Sequence, residues 1–116
     1  MKIDNFCHSN KQICTIGRHE WNVARLFTLV KDFKVMTIPI DHLYIDYIYT
    51  EIRLRDMVGH MKSVNDADLS YPIILDEDGV LMDGRHRIMK ALLTGKKTIK
   101  AVRFEENPTP CKIIDD

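Results

Sequence analysis

The run "YPIILDEDGVLMDGRHR", residues 71 to 87, leaves this chain few ways to fold. Pro72 lacks an N–H and is tolerated where a strand begins. Ile73, Ile74 and Leu75 are apolar without alternation, which marks a strand covered on both faces and therefore central in its sheet. "DEDG" is turn chemistry, with Gly79 able to take a positive φ. Val80 to Met82 return as the second strand of a hairpin. At Gly84 the chain turns again, and a helix is expected from Gly84 to Thr94. Ile88, Met89, Leu92 and Leu93 give that helix its apolar face, and Gly95 stops it.

The flanking segments supply partners for this hairpin and helix. Val23, Leu26, Phe27 and Val30 repeat at i, i+3, i+4, i+7, so a first helix is predicted from Arg18 to Lys31, its buried face widened by Trp21 and Leu29. "KVMTIPID" reads as a strand ending near Pro39. In "YIDYIYT", Tyr44, Tyr47 and Tyr49 are open to two roles, lining a pocket or packing with the hydroxyl at the surface. A second helix is predicted from Thr50, a suitable N-cap, to about Val64. Leu54, Met57, Val58 and Met61 form its expected buried face, with Arg53, Arg55 and Lys62 on the solvent side. "TIKAVRF" is the last strand. The order helix, strand, helix, hairpin, helix, strand predicts a single small α/β (α+β) domain with a mixed sheet. Residues 1–33 read as an N-terminal extension carrying a helix, 34–105 as the domain, and 106–116, with two prolines, as a poorly held tail.

Charge restricts the partners. The chain has 116 residues, with 17 Lys plus Arg against 17 Asp plus Glu. A balanced chain has no general attraction to DNA or to membranes, so nucleic acid is disfavoured as a partner and any anion site must be local. No run of about 18 apolar residues suits a bilayer, and the N-terminus has no signal-peptide core. Cys7, Cys14 and Cys111 are odd in number and scattered, which suits reduced thiols in a cytoplasm. Cys7, His8, Cys14 and His19 lack the tight paired spacing of a zinc site.

The local site is the mouth of the third helix. Arg85, His86, Arg87 and Lys90 crowd into six positions directly after Gly84. The first turn of a helix leaves N–H groups unpaired and carries the positive end of the dipole, so it seats anions. Gly84 lets an anion approach the backbone. Arg85 and Arg87 bring forked donors, and His86 a charge adjustable near neutral pH. Lys90, one turn on, extends the grip. Phosphate suits this set better than carboxylate because it offers more acceptor oxygens. Asp83 has three readings: a helix cap, a ligand for Mg²⁺ bridging to phosphate, or a base that takes a proton from a hydroxyl.

These stretches resemble the ParB/sulfiredoxin superfamily. "VMTIPIDHL" is similar to the first strand and turn of ParB-type domains, "YPIILDEDGVLMDG" to the hairpin before their signature, and "GRHRIMKALLTGKKTIKAVRF" to the signature helix and following strand. The likeness runs roughly from Val35 to Phe104. The signature is Gly-Glu-Arg-Arg in ParB and Gly-Cys-His-Arg in sulfiredoxin; here it is Gly84, Arg85, His86 and Arg87. The His-Arg pair looks closer to sulfiredoxin and to the Asp-Gly-His-His-Arg form of archaeal free-serine kinases. The resemblance implies that Gly84, His86 and Arg87 hold nucleotide phosphates. It also marks Glu51, by analogy with acids placed similarly in the kinase-like relatives, as a catalytic candidate beside Asp83. Arg85 stands where sulfiredoxin has its cysteine, which removes the sulfinic-acid chemistry. The Asn-Pro-Arg segment expected before the second helix is replaced by "YIDYIYTEIR", and neither the helix-turn-helix nor the dimerisation tail of ParB is expected within these 116 residues.

Three functions compete. The first is a small phosphotransferase or NTP hydrolase using ATP, ADP or CTP with Mg²⁺, working by positioning and charge neutralisation. The second is a non-catalytic nucleotide sensor or a partner-binding module from a mobile element, in which the first helix, with Trp21 and Phe27, serves either as core or as a homodimer surface. The third is a DNA-binding or nuclease domain, against which the neutral charge argues.

Overall fold

The computed structural model describes residues 12–45 and 51–114. The expected hairpin is its centre. Strand β4 (Ile73–Leu75) turns through residues 76–80 into β5 (Leu81–Asp83). Asp76, though buried, is satisfied: its Oδ1 accepts the N–H groups of Asp78 and Val80, each at 2.8 Å, and Gly79 takes φ +84°. Helix α3 (Arg85–Leu93) then crosses over to β6 (Thr98–Arg103), which lies parallel to β4. Strand β3 (Met36–Pro39), followed by a short 3-10 turn over Ile40–His42, pairs antiparallel with the far edge of β6. The sheet order is β3-β6-β4-β5, a mixed sheet in a small α+β domain, as the hydrophobic pattern predicts.

The unbroken apolar run of β4 is explained by a sheet covered on both faces. Ile73 and Leu75 point one way and pack with Ile99, Ala101 and the inner side of α3, Ile88 and Ala91. Ile74 and Val102 point the other way, into a cluster with Trp21, Val23 and Leu26.

That second cover is where the structure departs from the expected first helix. Residues 19–22 are extended, not helical. Strand β1 (Ile13–Ile16) and β2 (His19–Asn22) form an antiparallel hairpin that sets Cys14 opposite Trp21, both facing the core. Helix α1 begins only at Val23 and ends at Leu29, because Asn22 caps it by accepting the N–H of Arg25 at 3.3 Å. The periodic stripe is real for Val23, Leu26 and Val30, but it covers two turns, and Trp21 reaches the same core from a strand.

The tail is also held, contrary to expectation. Strand β7 (Lys112–Ile113) pairs with β2. The Trp21 indole donates to the Pro108 carbonyl at 2.9 Å, Cys111 N–H to Glu20 O at 2.8 Å, and Ile114 N–H to Arg18 O at 2.7 Å. Two prolines disfavour a helix here; they do not prevent one edge strand.

Helix α2 (Leu54–Asp66) starts later than predicted, with Arg53 at its N-cap; Thr50, Tyr47 and Tyr49 lie outside the described residues. Its expected buried face is exposed: Leu54 at 79%, Met61 at 64%, with Met57 and Val58 also open, and Val64 alone buried. The reason is position. α3 already occupies the sheet, and α2 meets α3 through His60 and its C-terminal end, where Lys90 Nζ donates to the carbonyls of Asn65 at 2.9 Å and Ala67 at 2.7 Å. The predicted face of α3 shifts likewise: Ile88 and Ala91 are buried, while Met89, Leu92 and Leu93 face outward. Among the described residues, no helix is long and apolar enough to cross a membrane.

Candidate functional site

Gly84 is required by the fold before any ligand is considered. Its φ of +118° belongs to the left-handed region, and a Cβ there would lie 2.5 Å from Ile73 Cγ2. The β5-to-α3 turn thus presses against β4 and admits only glycine. It launches α3 so that the first turn opens into a cleft of about 960 Å³. Gly84, Arg85, His86 and Arg87 line one side, with Asp83, Leu81 and Met82 of β5 beside them. Lys62, Ser63 and Asp66 of α2 form a second side, and Ile13, Cys14, Val23 and Phe27 of the N-terminal hairpin and α1 a third.

Asp83 does not cap the helix. Gly84 is the N-cap, with no side-chain bond, and Asp83 Oδ2 accepts from Arg87 Nη2 at 2.8 Å. The pair is largely shielded from water, which strengthens it relative to a surface pair. The Arg87 Nε is buried with no hydrogen-bond partner. The Arg87 guanidinium also sits 5.8 Å from the centroid of the Phe27 ring.

His86 is the second anchored member. Its Nε2 meets His60 Nδ1 at 2.8 Å, joining α3 to α2. Burial, then the charge of Arg85, then His60, hold the His86 pKa below its usual 6.5, against an opposing pull from Asp83. The ring is therefore neutral at neutral pH.

Cys14 comes to this cleft from far away in sequence, but as a packed thiol. Burial above all, with the charges of Asp83 and Asp76, pushes it up to about 11. At neutral pH it stays protonated and unreactive. Cys7 and His8 lie outside the described residues.

The structure brings together five of the expected site residues, Asp83, Gly84, Arg85, His86 and Arg87. It sets Lys90 against the end of α2 and leaves Glu51 exposed, both off the cleft lining. Tyr44 lies on the cleft. Phe27 and Lys62 also line the cleft, and His60 reaches it only through His86; helical spacing had assigned Phe27 to the core and Lys62 to solvent. Lys62 pairs with Asp66 at 3.4 Å in an exposed contact that contributes little. Among the described residues, no three His, Cys, Asp or Glu side chains converge as a metal centre.

No protein-family profile and no curated protein sequence matches this chain. Among solved structures, a Pnob8-like ParB-N domain aligns over 66% of this chain and 31% of its own, at 20% identity and a TM-score of 0.41. This chain spans less than a third of that structure's length.

Proposed function

We propose that the protein binds a nucleotide through its phosphates at the mouth of α3. The observation that carries this reading is the convergence of the α3 first turn, Arg85, His86, Arg87 and Lys62 on one cleft in a chain of zero net charge. The amides at a helix mouth have no intrahelical acceptor and can serve as donors, and the guanidinium groups supply charge and forked geometry. The orphaned Nε of Arg87 supports it further, since a buried donor without an acceptor costs about 1–3 kcal/mol and an anion that re-aims the guanidinium relieves it.

Binding is favoured over phosphoryl transfer by one contact. Asp83, the candidate base, already accepts from Arg87, and Glu51 is off the cleft lining. Mg²⁺ fits only as an ion carried in with the phosphates, because the two carboxylates on the cleft, Asp83 and Asp66, are engaged by Arg87 and Lys62. ATP, ADP and CTP, each with and without Mg²⁺, are the ligands to screen by thermal shift. At about 100 times the dissociation constant a ligand adds about 2.7 kcal/mol, a shift easily seen in a domain this size. No shift with any of them refutes the reading.

A further inference from the structure

The cleft is far larger than a phosphate group requires, and its sides differ in chemistry. The cleft that holds the polar mouth of α3 is also lined by Ile13 of β1 and Phe27 of α1. Both belong to the segment that sends Trp21, Val23 and Leu26 into the core and leaves Leu29 40% exposed, off the cleft lining. Ile13 remains 47% exposed and Phe27 41% exposed, and both face the cleft. The two kinds of surface are continuous, since the Arg87 guanidinium lies at the Phe27 ring as well as at the helix mouth.

We propose that Ile13 and Phe27 form a subsite for a planar aromatic body, the base of the nucleotide whose phosphates occupy the mouth of α3. This rests on the reading of that mouth as a phosphate seat, and it assigns selection of the ligand to the N-terminal segment instead of the α3 motif. Stacking on an aromatic side chain is available to every base, because each has a π-face, so the subsite selects base-bearing phosphates over bare ones. A ring edge over Ile13 adds apolar contact without demanding a particular hydrogen-bond pattern.

The test is calorimetric titration of the whole chain with ATP, AMP, ribose 5-phosphate and tripolyphosphate, in wild type, Phe27→Ala and Ile13→Ala. Ile13→Ala is included because Phe27 also touches Arg87. The expected result is that AMP outbinds ribose 5-phosphate, and that each variant weakens ATP on the order of tenfold while leaving tripolyphosphate unchanged. Equal weakening of ATP and tripolyphosphate, or equal affinity for AMP and ribose 5-phosphate, overturns the base subsite and leaves the phosphate seat standing. ATP bound in a Phe27-dependent way with no affinity for tripolyphosphate removes the seat and keeps the aromatic wall. Failure of all four ligands to bind wild type overturns both.

Discussion

His60 and His86 meet ring nitrogen to ring nitrogen, Nδ1 to Nε2, at 2.8 Å, and tie α2 to the mouth of α3. One ring must donate and the other accept, so the contact survives with both rings neutral or with one protonated. Protonating both removes the acceptor and places two more charges beside Arg85 and Arg87.

The pH dependence of stability follows from His86. Its folded pKa lies below the unfolded 6.5, so between the two values the unfolded chain binds more protons. Stability is full above about pH 6.5 and declines as pH falls through the depressed folded value. Thermal melts from about pH 8 to about pH 5 should show this acid limb, and His86→Gln should flatten it. An acid limb of unchanged slope in the variant assigns the titration to another group.

Asp83→Asn tests the ion pair and the anion seat together. The neutral amide weakens a shielded charge-assisted bond, at a cost of about 1–3 kcal/mol, and lowers the melting temperature by roughly 4 °C or more. Arg87 then lacks its anionic partner, so added tripolyphosphate should raise the melting temperature of the variant more than that of wild type. Equal protection of both proteins means that Arg87 does not touch the anion.

Gly84→Ala should be among the most damaging small substitutions. The added methyl meets Ile73 Cγ2, and the left-handed φ of +118° is itself strained for alanine. We expect a loss of about 2–4 kcal/mol in chemical denaturation. Combining it with Ile73→Ala should fail to restore stability, because φ remains strained and a buried isoleucine is lost. A neutral Gly84→Ala contradicts the described turn.

The exposed face of α2 predicts a contrast that helical periodicity alone would deny. Leu54→Gln should change stability by no more than about 0.5 kcal/mol, whereas Leu26→Ala in α1 should cost about 2–5 kcal/mol. A large loss at Leu54 would place that side chain in an interface, within the chain or between chains.

The central hairpin, its turn at Gly79 and the start of α3 were legible because local chemistry and tertiary context agree there. Three apolar residues in a row admit a central strand, and a two-sided core is what they received. That residues 83–87 share one cleft was legible because consecutive positions at a helix mouth must share one locality. The first element misled because Val23, Leu26, Phe27 and Val30 repeat as a helix does and the apolar Trp21 just before them reads as an extension of that face; the cap at Asn22 and the turn at Gly17 decide otherwise. The outward faces of α2 and α3 were not legible, since period 3.6 marks an apolar stripe and says nothing of whether another element covers it. The closure of the tail on β2 and the His60–His86 contact depend on pairings across long stretches of sequence, which no local pattern encodes.

The central claim is that the first turn of α3 receives an anion, and the most direct measurement is residue-resolved. Amide resonances of the chain labelled with nitrogen-15 should be followed while tripolyphosphate is added. Saturable shifts concentrated at Gly84, Arg85, His86 and Arg87, and reduced in Arg85→Gln, are the predicted result. Saturable shifts confined to other surfaces, or an unperturbed helix mouth at saturating tripolyphosphate, would contradict it.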